Sequence, residues 1–145
     1  EDDVHITKAD VQVPEDMIQQ ETSYTEEDLY WLSRIIHAES GGEPLSGKIA
    51  VGNVILNRVK STQFPNTIYG VIFDDKYGVQ FQPVSNGTIY NEPSQESVEA
   101  AKRALKGESV VGESLYFLNP RIATNFWIVN NRTYHSTIGG HDFYL

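Results

Sequence analysis

No cysteine occurs in this chain of 145 residues, which excludes disulfides, thiol nucleophiles and cysteine-bound zinc. Basic residues are scarce: 11 Lys and Arg stand against 20 Asp and Glu, for a formal net charge of −9. That balance argues against nucleic acid, whose binding needs cations on phosphates, and against anionic lipid. Nothing approaches the roughly 20 apolar residues of a membrane-spanning helix, so no membrane insertion is expected. The chain opens Glu1-Asp2-Asp3, with no basic or apolar leader. It reads as cytosolic, or as an exported protein already relieved of its signal. The 4 histidines fall at 5, 37, 135 and 141 and form no HExxH-type pair. No metal or cofactor is expected, and the chain reads as a monomer.

What is present is enough apolar residue, 39%, for one globular domain. Residues 1–24 are acidic, without a periodic face, and read as a tail or linker. The domain is expected over 25–145. Thr25, followed by Glu26, Glu27 and Asp28, is a helix start, and Gly41-Gly42 a stop. Pro44 opens a second helix with an Ile49, Gly52, Ile55, Leu56 and Val59 stripe, and Ser94 to Gly107 makes a third. Thr67–Phe73 is short and apolar. Val79 and Phe81 alternate with polar residues before Asn86-Gly87, which predicts a hairpin with Pro83 at a sheet edge. Ser114–Leu118 reads as a strand, and Ala123–Asn131 as a short helix or a strand. Segments 134–138 and 141–145 flank a two-residue turn at Gly139-Gly140. The fold class is therefore α+β, mainly α, with a small β-hairpin element.

One residue stands out chemically. Leu29, Leu32, Ile35 and Ile36 lie on one helical face, and the next step of that stripe is Glu39. A carboxyl on an apolar face loses water, its pKa rises, and it becomes a candidate general acid. Alternatively Glu39 lies at the fraying helix end and faces water. Glu43 is one step further on, past two glycines. It reads either as a helix-start charge or as a second catalytic carboxylate. Asp74-Asp75 reads as a solvated loop and Asp142 as structural.

Three motifs then carry a resemblance. The first is IIHAESGGEP (35–44) with GKIAVGNVILNRV (47–59). The second is Gln80-Phe81-Gln82-Pro83-Val84. The third is Tyr116-Phe117-Leu118-Asn119-Pro120 with Trp127, His135 and Ile138 to Tyr144. Together they resemble the bacterial cell-wall hydrolase family of spore-cortex-lytic enzymes, the SleB and CwlJ type, over roughly 26–145. The chain departs from many relatives in having no arginine in its Ser40-Gly41-Gly42 stretch. The resemblance implies a lysozyme-related fold, a peptidoglycan substrate outside the cytoplasm, and a lytic transglycosylase chemistry with Glu39 as its single catalytic glutamate. It also implies substrate contacts at Gln80, Phe81, Tyr116, Asn119, Trp127 and His135. From their residue type Phe81 and Trp127 read as core packing more than as contacts, and Tyr116 and His135 stay open. A hydrolytic muramidase or glucosaminidase using a second carboxylate, and a non-catalytic wall-binding module, are the competing readings.

Overall fold

A computed structural model describes residues 24–145; the acidic segment read as a tail lies outside the described residues, apart from Tyr24. Six α-helices occur among them: α1 (Glu26–Ser40), α2 (Leu45–Lys60), α3 (Ile68–Ile72), α4 (Gln82–Asn86), α5 (Gln95–Leu105) and α6 (Trp127–Asn131). A 3₁₀ turn spans Thr88–Tyr90. Three strands, β1 (Tyr116–Leu118), β2 (Tyr134–Ile138) and β3 (His141–Tyr144), form an antiparallel sheet in the order β1-β3-β2. No described helix is long and apolar enough to cross a membrane. The architecture is the expected α+β, mainly α.

α1 starts at a reciprocal cap. The Asp28 amide donates to Thr25 Oγ1 at 3.0 Å and the Thr25 amide to Asp28 Oδ2 at 3.2 Å, which satisfies two otherwise orphan N–H groups. Its inner face is Leu32, Ser33, Ile35, Ile36 and Ser40. α2 is the central helix. It is buried without interruption from Gly47 to Ile55, so the expected stripe is in fact a nearly complete apolar surround, while Leu56 and Val59 are only partly buried. α5 presents Ser97, Ala100, Ala101 and Ala104. These small residues, with Gly52, let the helices approach closely: a Cβ on Gly52 would sit 3.0 Å from Ile36 Cδ1 and 3.2 Å from Ala104 Cβ.

The central helix also reaches outward. Asn53 Nδ2 donates to the Glu108 carbonyl at 2.8 Å, and its Oδ1 accepts from the Val110 amide at 2.9 Å. Asn57 Nδ2 donates to the carbonyls of Gly112 and Ser114, at 3.0 and 2.9 Å. Arg58 Nε donates to the Leu115 carbonyl at 2.8 Å. Backbone groups of residues 108–115 thus find partners on α2, and that fixes where β1 begins.

Two expectations need correction. Asn86-Gly87 makes no hairpin: Gly87, at φ 84°, caps the C-terminus of α4 instead. The left-handed conformation that glycine supplies serves a helix stop as readily as a tight turn. Pro83 lies in the first turn of α4, where its missing N–H costs nothing, so there is no strand for it to edge. Ala123–Asn131, left open from sequence, contains α6, whose first amide is held by Asn125 Oδ1 at 2.9 Å.

The Gly139-Gly140 turn does join β2 to β3, with Ile138 opposite His141. Gly139 has φ 58°, and a Cβ there would collide with the Glu43 carboxylate. Gly139→Ala should therefore destabilise the domain by at least about 1–2 kcal/mol, the cost of left-handed backbone in a non-glycine residue. Gly42→Ala, whose Cβ would meet nothing within 4 Å, is the control. Urea denaturation of both variants checks this, and equal midpoints would refute it.

Candidate active site

Glu39 occupies the last turn of α1, partly exposed, beside the fully buried Ile35 and Ile36. Of the two placements left open by sequence, the structure gives the inward one. Burial pushes its carboxyl up to about 7, with no charged neighbour contributing. It makes no hydrogen bond or ion pair among the described residues. A carboxyl in this state holds a proton near neutrality and can release it at modest cost.

The turn carrying Glu39 is held on both sides. Upstream, His37 Nδ1 accepts from the Ser94 amide at 3.3 Å and lies 3.2 Å from Ser97 Oγ, which ties α1 to the start of α5. The amide donor fixes Nδ1 as an acceptor, so the neutral ring carries its proton on Nε2. Downstream, Glu43 Oε1 accepts from the Gly140 amide at 2.8 Å. The Glu43 carbonyl accepts from Lys48 Nζ at 2.5 Å, and Lys48 also pairs with Glu96 at 2.8 Å. Glu43 therefore caps no helix. The N-cap of α2 is Pro44, which makes no side-chain cap bond, and the Glu43 carboxylate grips the β2–β3 turn instead. Sequence distance hid this contact, since 97 residues separate the partners.

Glu39 opens onto a cleft of about 1860 Å³, room for several sugar rings rather than one small molecule. Gln80, Phe81, Tyr116, Asn119 and Trp127 all line it. Their burial differs. Phe81 is 5% exposed and stacks on Phe117 at 6.2 Å, so it is chiefly core. Trp127 is 51% exposed, which makes it a free aromatic face rather than packing. Tyr116 is partly buried, and its hydroxyl accepts from Arg132 Nη2 at 2.8 Å. His135 is not brought to the cleft. It is exposed on β2, bonded to Ser136 Oγ, and its Nε2 faces Gly112. The bulge between Tyr134 and Ser136 shifts the strand register there, and period-two reading cannot anticipate that.

Asp74 also borders the cleft, with Oδ1 accepting from the Lys76 amide at 3.1 Å. Two cleft residues escaped the sequence reading. Arg58, in the AVGNVILNRV helix, lies under Phe64, Phe81 and Tyr116 at 4.8–5.3 Å from guanidinium carbon to ring centre. Desolvation lowers its pKa to about 10, partly offset by the nearby Tyr116 and Asp74, so it stays charged at neutrality. His141 is 4% exposed between Phe117 and Phe143, and burial lowers its pKa against the opposing pull of Glu43 and Asp142. The sequence signal for Arg58 was its place late in an otherwise apolar helix. For His141 it was the alternation that points it inward with Phe143.

The model of the family described as Cell Wall Hydrolase matches residues 42–144. The chain belongs to the cell wall hydrolase family. It is 40% identical over 120 residues to the spore cortex-lytic enzyme of Bacillus cereus, covering 83% of this chain but only 45% of that one. Among solved structures, the catalytic domain of the germination-specific lytic transglycosylase SleB from Bacillus anthracis is similar at a TM-score of 0.77 and 38% identity, covering 92% of this chain and all of that one. The catalytic domain of the Bacillus cereus SleB protein is similar at a TM-score of 0.75, covering 84% of this chain and 92% of that one. The family match begins just beyond Glu39, so its role rests on its surroundings in this cell wall hydrolase fold.

The Glu39 environment predicts a pH signature. In the folded chain Glu39 stays protonated to about pH 7, whereas the unfolded chain ionises it near 4.5. Between those values the unfolded state binds fewer protons, so stability falls as pH rises through the window. The full penalty, up to roughly 3 kcal/mol, applies above pH 7 and is absent below 4.5. Glu39→Gln removes it. The variant should melt higher than wild type at pH 8 and equally at pH 4. A melting difference that does not change with pH would refute the buried-acid assignment.

Proposed function

We propose that this chain is a peptidoglycan lytic transglycosylase that acts on the wall or spore cortex outside the cytoplasm. It cuts the β-1,4 bond between N-acetylmuramic acid and N-acetylglucosamine. The observation that carries this reading is a single desolvated carboxyl, Glu39, while the other carboxylates that line the cleft among the described residues, Glu43 and Asp74, each accept a backbone hydrogen bond. Glu43 is engaged by the Gly140 amide and Asp74 by the Lys76 amide. Hydrolysis by the usual routes needs two carboxylates, one to protonate the leaving oxygen and one as nucleophile or water-activating base.

One group suffices where the substrate supplies its own nucleophile. Glu39 gives its proton to the glycosidic oxygen as the bond from muramyl C1 breaks, freeing the 4-hydroxyl of the glucosamine. The muramyl 6-hydroxyl closes onto C1, and the Glu39 carboxylate takes its proton. The product ends in 1,6-anhydro-muramic acid, no water is consumed, and Glu39 returns to its starting state. A pKa near 7 suits both halves, since the group must first donate and then accept. Trp127, Tyr116, Gln80 and Asn119 offer ring faces and amides for the sugars and their acetamido groups. Similarity to the SleB catalytic domain, described as a lytic transglycosylase, supports the same chemistry.

Digestion of purified peptidoglycan tests the reading, with fragment ends identified by mass spectrometry. Anhydro-muramic ends are expected, and Glu39→Gln should lower the rate by at least about a hundredfold. Glu43→Gln should keep most of the activity and the anhydro ends, because its amide oxygen can still accept from Gly140. Water-terminated reducing ends, with Glu43→Gln inactive but folded, would establish a two-carboxylate hydrolase instead. Absence of any cleavage would establish a binding module.

A further inference from the structure

Among the described residues, Arg58 is a buried charge that forms no ion pair. It is 5% exposed, and Nε is the one guanidinium nitrogen that donates within the described residues, to the Leu115 carbonyl. Nη1 is sealed from solvent with no acceptor. Three aromatic rings surround the guanidinium carbon, and their faces answer part of its charge. Asp74 acts on it only beyond ion-pair distance. An arginine kept solely to hold the Leu115 carbonyl would need only one N–H. Burying the remaining donors unpaired is costly, and the group lines the same cleft as Glu39.

Arg58 is not a partner of the acid. It does not contribute to the perturbation of Glu39, which burial alone accounts for. The start of α2 abuts the end of α1, and Arg58 lies about 20 Å along α2 from that junction, at 1.5 Å per residue. Arg58 thus enters the cleft from the far part of α2, whereas Glu39 enters it from the end of α1. We propose that Arg58 is an anion subsite of the cleft, which receives a carboxylate of the wall polymer on Nη2, the guanidinium nitrogen that is neither sealed from solvent nor bonded among the described residues. This rests on the peptidoglycan reading above. The carboxylate comes either from the lactyl arm of a peptide-free muramyl residue or from a stem peptide. A chain of net charge −9 without such a site would repel an anionic strand, so the sign of the effect discriminates.

Four soluble glycan preparations test it with the wild-type protein. One carries stem peptides, and one is stripped by an amidase to leave lactyl carboxylates. The other two are the same strands after carbodiimide coupling to methylamine, which turns carboxylates into neutral amides. Neutralisation should raise KM about tenfold or more, with kcat within about twofold, in whichever series carries the recognised carboxylate. An effect in the stripped series alone identifies the lactyl arm, and an effect in the peptide series alone identifies the stem. Arg58→Gln should erase the difference between charged and neutral strands, and Arg58→Lys should restore part of it. Should Arg58→Gln fail to fold, the wild-type series still decides. Unchanged or lowered KM on neutralisation in both series would overturn the subsite. Absence of cleavage in every preparation would sink the lytic reading. Fluorescence-anisotropy binding of the same four strands to Glu39→Gln would then judge the subsite alone, by the same tenfold criterion.

Discussion

The structure depends on how Lys48 is satisfied. Its side chain is 2% exposed, and an ammonium so placed is tolerated only if its protons find partners. They find the Glu43 carbonyl and the Glu96 carboxylate. The first fixes the loop that follows α1, and the second draws in the start of α5. Glu43 then extends the knot through its own carboxylate to the Gly140 amide in the β2–β3 turn. Three helices and the sheet meet within a few residues of Glu39. The clamp supplies rigidity without supplying a charge to Glu39. A cation beside the acid would have lowered its pKa, whereas burial alone raises it.

Two ionisable groups that line the cleft, Glu39 and Arg58, lack full pairing among the described residues. Glu39 is a carboxyl without a donor, and Arg58 is a guanidinium with one acceptor for several donors. Among the described residues, Arg34 Nε, Arg132 Nε and His141 Nδ1 are likewise buried without a partner, whereas Asn53, Asn57, Lys48 and Glu43 have partners on identified atoms. Leaving Glu39 and Arg58 incompletely paired costs stability and keeps both groups free to meet a ligand.

What could be read from sequence was whatever depends on neighbours along the chain. The Thr25 cap, the α1 stripe through Glu39, the Ser94 start of α5 and the Gly139-Gly140 turn rest on contacts within a few residues, and all are present. Asn86-Gly87 was misread because a left-handed glycine is common to hairpins and helix stops, and only tertiary packing chooses. The grip of Glu43 on the β2–β3 turn was not legible because its partner is Gly140, far along the chain. Trp127 and Phe81, read alike from sequence, part in the structure, since aromatic burial depends on which wall the ring belongs to. Phe81 backs onto Phe117 in the core, while Trp127 stands on a short surface helix.

The AVGNVILNRV segment shows why a single stripe was too simple a description of α2. Its apolar positions meet α1 and α5, as the Gly52 contacts with Ile36 and Ala104 illustrate. Its polar positions Asn53, Asn57 and Arg58 are not the wet face of an amphipathic helix. They bind the backbone of 108–115, which carries few regular bonds of its own. That segment leads directly into β1 and hence to Tyr116 and Asn119 on the cleft wall. One helix therefore sets two distances at once. Its first half fixes where α1 delivers the acid, and its second half fixes where the opposite wall stands. The two walls of the cleft are thus both referred to one 16-residue helix, a more rigid support than loops alone would provide.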